Sequence, residues 1–258
     1  MLGALGALDR VVACTRHCAA VVPSLDVSRM LIVEDSWTAK AQEILSSEPD
    51  LIIASVPYQV EAIAEILKAN VRVLALAPRT LDDVYGDVTT VARILGVSER
   101  ANAVIARMQD EVNFVRHRAR GLRRPRIYCE QWGKPIMISE RLVKELVEAA
   151  GGDFVGDPGT RICAEGVRAE NPDVIVFAWC GVGGRVPVEK VIQERDWSYI
   201  KAVRNGRVYV VRDDMLTTPA PVITTGLQAL AHALHPDNFP APEFAGDTVI
   251  RVFAKAGV

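Results

Sequence analysis

The stretch Ser98-Glu-Arg-Ala-Asn-Ala-Val-Ile-Ala-Arg-Met-Gln-Asp-Glu-Val-Asn-Phe-Val-Arg-His-Arg-Ala-Arg-Gly121 decides the fold. Ala101, Val104, Ile105, Met108, Val112 and Val115 recur at steps of three and four, the period of one helical face. Ser98 can cap the start, Glu99 suits the first turn, and Gly121 can end the helix. No Gly or Pro interrupts it, so it predicts a helix about 35 Å long at 1.5 Å per residue. That is as long as a small domain is wide. Strand-helix units lie on both sides of it, so it reads as a rigid connector between two lobes.

Strand candidates are Val11–Thr15, Met30–Val33, Leu51–Ala54, Val71–Leu76, Arg126–Glu130, Val174–Ala178 and Val208–Val211. Helix candidates between them are Ala39–Ser47, Tyr58–Ala69, Leu81–Leu95, Ser139–Ala150, Val188–Glu194 and Thr224–Leu234. Strands alternating with helices predict an α/β fold with parallel sheets and helical crossovers. A weak repeat supports two lobes: Glu48-Pro49-Asp50-Leu51-Ile52-Ile53 resembles Asn171-Pro172-Asp173-Val174-Ile175-Val176. In both, a helix stops at a proline and a buried strand follows, because proline disfavours helix in the residue before it. The expected division is residues 1–97, a connecting helix at 98–121, and residues 122–258.

The chain has 258 residues, half of them apolar, and a net charge of −2. That composition excludes general disorder, and the near-neutral balance argues against a nucleic-acid partner. No window reaches the roughly 18–20 uncharged apolar residues of a membrane helix. The apolar start, Met1–Arg10, lacks the basic n-region of an export signal. Cys14, Cys18, Cys129, Cys163 and Cys180 are odd in number and follow no framework spacing, so they read as reduced thiols.

No nucleotide, hydrolase or metalloprotease motif is present. Gly181-Val-Gly-Gly184 follows a strand but is an incomplete phosphate loop; a tight turn is the simpler reading. Cys14, His17 and Cys18 lie within five residues and have ligand chemistry, but lack the second pair of a closed zinc site. His117 reads as solvated, and His232 and His235 suit the end of the last helix. In parallel sheets, ligands bind outside the carboxyl ends of strands. Tyr58, Trp132 and Trp179 each follow a predicted strand, and Trp37 follows the short run Met30–Val33. These aromatics could be core or could stand where a ligand sits. Trp197 reads as a packing anchor.

The chain resembles the cobalamin-binding subgroup of the periplasmic substrate-binding proteins that serve ABC importers of cobalamin, haem and iron-siderophores. The resemblance runs through Leu5–Val12 into Thr15–Cys18, Glu48–Ile52, Arg126–Trp132 and Glu145–Gly152. It continues through Asn171–Val176, Trp197, Ala202–Tyr209 and Ala231–Pro236. It implies two Rossmann-like lobes joined by one long helix, with ligand in the cleft between them. It implies a non-enzymatic protein that binds a corrinoid and delivers it to an ABC permease, acting as a monomer outside the cytoplasm. By position, His17, Trp37 and the Val56–Tyr58 loop would come from the first lobe. Trp132, the Pro135–Met137 loop, Trp179, Cys180 and the Asp214–Leu216 loop with Met215 would come from the second. Glu43 is the candidate for docking on the permease. No catalytic cofactor or metal is expected.

Family members carry a further strand and an export signal before the position of Leu2. Their absence here reads as a misplaced start, a truncation, or a protein kept inside the cell. The second-lobe loop of the family usually carries aromatics and an Arg near its Pro, where this chain has Met215–Pro221. Haem or a ferric siderophore is the alternative ligand. A chelatase-like enzyme and a cytosolic corrinoid-handling protein are the alternative classes.

Overall fold

A computed structural model of the chain describes residues 1–35, 38–55, 60–242 and 249–251. The chain forms two compact units. Unit 1 comprises Met1–Pro78 and Tyr85–Val104; unit 2 comprises Arg79–Val84 and Ile105–Val258.

Unit 1 contains β1 (Ala13–Thr15), α1 (Cys18–Val21), β2 (Leu31–Val33), α2 (Ala41–Leu45), β3 (Leu51–Ser55), α3 (Val60–Lys68) and β4 (Arg72–Leu76). β1 pairs parallel with β2, and β3 pairs parallel with β4 through five residues on each strand. These strands are only half-buried, and Val12 and Ile32 are exposed. α4 (Leu81–Ile94) and α5 (Ser98–Ala119) follow, and the division between units falls inside each of them.

The decisive helix runs as its period predicts. Ala101, Val104, Met108, Val112, Val115 and Ala119 are buried along one face of α5. The helix stops at Ala119, and Gly121 takes the left-handed conformation (φ 82°) that an end-capping glycine adopts freely.

Unit 2 then builds β5 (Arg126–Gly133), β6 (Ile136–Ile138), α6 (Arg141–Ala149), β7 (Asp153–Phe154), α7 (Ala164–Glu170) and β8 (Val174–Phe177). α8 (Val188–Glu194), α9 (Lys201–Arg204), β9 (Val208–Val211), α10 (Asp213–Leu216), α11 (Ile223–Leu234) and β10 (Val249–Arg251) complete it. Its sheet runs β10-β9-β8-β5-β6, with β7 beside the first residues of β5. β5, β8 and β9 are parallel; β6 and β10 are antiparallel additions at the two edges. Every residue of β8 and β9 is buried, as strands covered on both faces require. The two strands share one core cluster with Tyr128 of β5, Trp197 and Ile200, all wholly buried, as is Phe177 of β8 itself. Trp197 is the expected anchor, its indole N–H donating to the Ala164 carbonyl at 3.0 Å.

The repeat is structural. Glu48 (φ 50°) and Asn171 (φ 46°) both take the left-handed conformation before a proline and a strand; Asn171 caps α7 directly, whereas Glu48 follows α2 after the turn at Ser46 and Ser47. Their backbone N–H groups bond back to Leu45 at 3.0 Å and Val167 at 3.2 Å. Asn tolerates this conformation better than Glu, which pays roughly 1–2 kcal/mol for it.

Three expectations need correction. Residues 136–138 form strand β6, because Gly133-Lys134-Pro135 turns the chain back onto β5. Trp132 lies inside β5, which continues three residues beyond Glu130 to meet β6. Residues 214–216 belong to the helical turn α10. Among the described residues, no helix is long and apolar enough to cross a membrane.

Candidate functional site

The carboxyl ends of β5 and β8 carry the chemistry of unit 2. The two strands run in register from Ile127 opposite Val174 to Glu130 opposite Phe177. A register shift between Glu130 and Trp132 then sets Trp132 opposite Met137 of β6, so these two expected ligand residues are cross-strand partners. Trp132 is 36% exposed. Beyond β8, Trp179 is half-buried and meets Phe177 edge to face, 6.0 Å between ring centres. The Cys180 N–H bonds the Gln131 carbonyl at 3.1 Å, continuing the link between the two strands past their ends.

Trp179 is held by an ion pair that sequence reasoning did not single out. Glu130 is 0% exposed and accepts from the Trp179 indole N–H at 2.8 Å and the Tyr128 hydroxyl at 2.8 Å. Arg195, whose side chain is 11% exposed, donates to both Glu130 oxygens at 2.8 and 3.0 Å. It also donates to the Gly133 carbonyl at 3.0 Å. Its guanidinium sits 4.9 Å from the Trp197 ring centre and 5.9 Å from that of Trp179. Burial pushes the Glu130 carboxyl up; Arg195, Tyr128 and Trp179 pull it back. The same burial, with the Glu130 charge, raises the Tyr128 hydroxyl, which therefore stays a donor.

Gly133 completes the seat of Trp179. A Cβ there would stand 2.4 Å from the indole, so the ring lies flat against bare backbone. An off-pattern charge in the apolar run Ile127–Trp132 was the available signal for Glu130. Nothing local distinguishes Arg195 or Gly133.

The glycine turn after β8 is fastened from α10. Gly181 (φ 75°) and Gly183 (φ 60°) direct their N–H groups to the Asp213 carboxylate at 2.8 and 3.0 Å. Burial raises the Asp213 pKa, and these two N–H bonds oppose the rise. This confirms the tight turn over a phosphate cradle. Burial, helped by the Asp213 charge, also pushes the Cys180 thiol up to about 11, so it is no nucleophile near neutrality. Met215 is wholly buried: α10 packs against α11, where Gly226 faces the Met215 backbone. It belongs to the core of unit 2 rather than to a ligand surface.

In unit 1, half-buried His17 stands two residues past β1, and its Nε2 lies 3.4 Å from Nε of Arg16, which pairs with Glu34. The Thr15 hydroxyl and Cys18 sulfur are 3.4 Å apart, and burial beside Cys18 pushes the Cys14 thiol up to about 11. Glu43 is half-buried in the first turn of α2. Trp37 and the Val56–Tyr58 loop lie outside the described residues. Among the described residues, no three His, Cys, Asp or Glu side chains could together hold a metal ion. His232 and His235 are structural: His232 Nδ1 lies 2.9 Å from the Phe239 carbonyl, and His235 is buried.

The family described as periplasmic binding protein matches residues 1–215. An uncharacterised ABC transporter substrate-binding lipoprotein of Bacillus subtilis, YvrC, is 26% identical over 254 residues, covering 92% of this chain and 76% of that one. The crystal structure of a periplasmic haem-binding protein from Pseudomonas aeruginosa shares the fold at a TM-score of 0.82. The match has 18% identity and covers 99% of this chain and 95% of that one. The periplasmic vitamin B12-binding protein BtuF of Vibrio cholerae aligns at a TM-score of 0.72 and 18% identity, over 91% and 92% of the two chains. The chain belongs to the periplasmic binding protein family, whose members are substrate-binding proteins of transporters and not enzymes.

Proposed function

We propose that this periplasmic binding protein serves an ABC importer outside the cytoplasm, as a monomer, and takes a corrinoid as its ligand. The observation that carries the reading is the aromatic group at the carboxyl ends of β5 and β8: Trp132 beside Met137, and Trp179 seated on Gly133 by Glu130 and Arg195. A corrinoid is a broad, flat macrocycle edged with neutral amides. Rigid indole faces and a thioether suit its plane. Cys180 adds a neutral wall, because its thiol stays protonated. In unit 1, His17, Trp37 and Tyr58 are the proposed contacts, and Glu43 is proposed to dock on the permease.

Haem is the second reading, favoured by the haem-binding protein among the similar folds. There His17 would be the side chain able to hold the haem iron. Titration of the protein with cyanocobalamin and with haemin, followed by tryptophan quenching and absorbance, separates the two. Saturable quenching by cyanocobalamin, lost in Trp179→Ala, is the expected result. Saturable haemin binding with a shifted Soret band, and no response to cyanocobalamin, would overturn the corrinoid assignment.

A further inference from the structure

The other end of the unit 2 strands carries a charge arrangement that ligand binding leaves unused. Arg116, Arg118, Arg120, Arg123, Arg124 and Arg126 fall within eleven residues of a chain whose net charge is −2. They occupy the last turn of α5, the turn after it and the first residue of β5. Three have carboxylate partners. Arg123 pairs with Asp173 at 3.6 Å, Arg124 with Asp153 at 2.7 Å, and Arg126 with Glu170. These pairs tie the basic segment to the amino ends of β7 and β8 and to the last residue of α7.

Arg116, Arg118 and Arg120 are different. All three are exposed, and among the described residues none has a carboxylate within ion-pair distance. An open cavity of about 250 Å³ lies between Arg116, Arg120 and Arg124, floored by Gly121, Ala149 and Gly151. Glu148 is the carboxylate on its wall, and Lys144 lies 3.9 Å from it. Arg118 lies between two rings, 6.0 Å from Phe114 and 5.5 Å from Phe239. Phe239 is buried, whereas Phe114 is 56% exposed, one helical turn from Arg118.

Each element of this face suits an anionic phospholipid surface. Guanidinium forks match phosphate oxygens in geometry and charge. A cavity of this size admits a headgroup phosphate. An exposed aromatic beside a solvated cation is the pattern of surfaces that enter the headgroup boundary. A nucleic acid fits less well, because the exposed Phe114 beside Arg118 has an apolar boundary to enter at a bilayer and none on a duplex backbone.

We propose that Phe114, Arg116, Arg118 and Arg120 form a docking face for anionic phospholipid. Arg116 and Arg120 take the headgroup phosphate at the cavity, and Phe114 enters the boundary beside Arg118. Docked this way, the aromatic group at the opposite ends of β5 and β8 stays clear of the lipid. The proposal needs no particular ligand for that group.

The test is co-sedimentation of the full chain with vesicles of phosphatidylcholine alone and of phosphatidylcholine mixed with phosphatidylglycerol. Binding to the mixed vesicles at low salt, none to phosphatidylcholine, and release at about 1 M salt are expected. Each arginine contributes about fivefold, so Arg116→Gln/Arg118→Gln/Arg120→Gln is expected to weaken binding on the order of a hundredfold. Thermal melting of the variant checks its fold. Arg118→Glu alone, on an exposed side chain, provides a second variant with the same expected direction. Equal binding to both vesicle types, or full binding by the folded variants, would overturn the proposal. So would displacement by inorganic phosphate at matched ionic strength, which would assign the cavity to a free oxyanion. Duplex DNA outcompeting the vesicles would assign the face to nucleic acid and overturn it equally.

Discussion

Replacing Glu130 by Gln removes a charge from the interior of unit 2 while keeping its volume. In the folded chain the Glu130 carboxylate accepts four hydrogen bonds, two of them from Arg195. A Gln amide keeps one oxygen, which can still accept from Trp179 and from Arg195. Its amide nitrogen must then face the second Arg195 contact, donor against donor. Arg195, only 11% exposed on its side chain, is left without a counter-charge. Breaking a buried pair from one side costs about 3–5 kcal/mol, because the remaining charge stays desolvated. For a chain of this size that lowers the melting midpoint by roughly 2–4 °C per kcal/mol, a total on the order of 10 °C.

Removing both charges discriminates the cause. Glu130→Leu with Arg195→Met leaves no orphan charge, so it is expected to cost clearly less than the two single changes added together. Urea unfolding of the wild type, both single variants and the double variant measures the coupling. Tryptophan emission reports whether Trp179 has left its seat, and a red shift is expected for Glu130→Gln. The pair is buried, so added salt should change the coupling little. A Glu130→Gln variant that loses less than about 1 kcal/mol, with unchanged emission, would refute the reasoning.

Two further outcomes follow from the packing and the titrating groups. Gly226→Ala is expected to destabilise by about 1–3 kcal/mol, because its Cβ would stand 2.3 Å from the Met215 carbonyl oxygen; an unchanged urea midpoint would show that α10 can yield. His235 is 7% exposed, and burial, with Arg207 and Arg124 near it, lowers its pKa below the usual value of 6.5. The unfolded chain then binds the extra proton first, so stability falls as pH drops below about 6.5. His235→Gln should flatten the urea midpoint between about pH 5 and pH 7, and a slope equal to that of the wild type would count against this origin.

The candidate site is legible only in part. Trp132 and Trp179 stand out because strand ends mark the place where a parallel sheet meets a ligand. Met137, Cys180 and Met215 come only from the resemblance to the family. Met215 lies buried because α11 closes over α10, a contact that no local pattern announces. The resemblance implies a loop at Pro135–Met137; β6 begins at Ile136, right after the turn, and three residues are too few to show a strand period. α7 is short, with Cys163 accepting from the Gly166 N–H at its start, and such a cap carries little weight in a sequence.

Local spacing determined the long helix, seven of the ten strands among the described residues and the helix-Pro-Asp-strand repeat. Each is marked by residues within one or two turns, and packing of the apolar face so marked then holds it. The resemblance to substrate-binding proteins was legible for the same reason, since it rests on short segments kept in order. Tertiary structure alone decided how Trp179 is held. Its indole depends on Glu130, 49 residues away, and that carboxylate depends on Arg195, 65 residues away. A buried charge is tolerable only when a partner arrives from elsewhere in the fold. Sequence spacing carries no record of such an arrival.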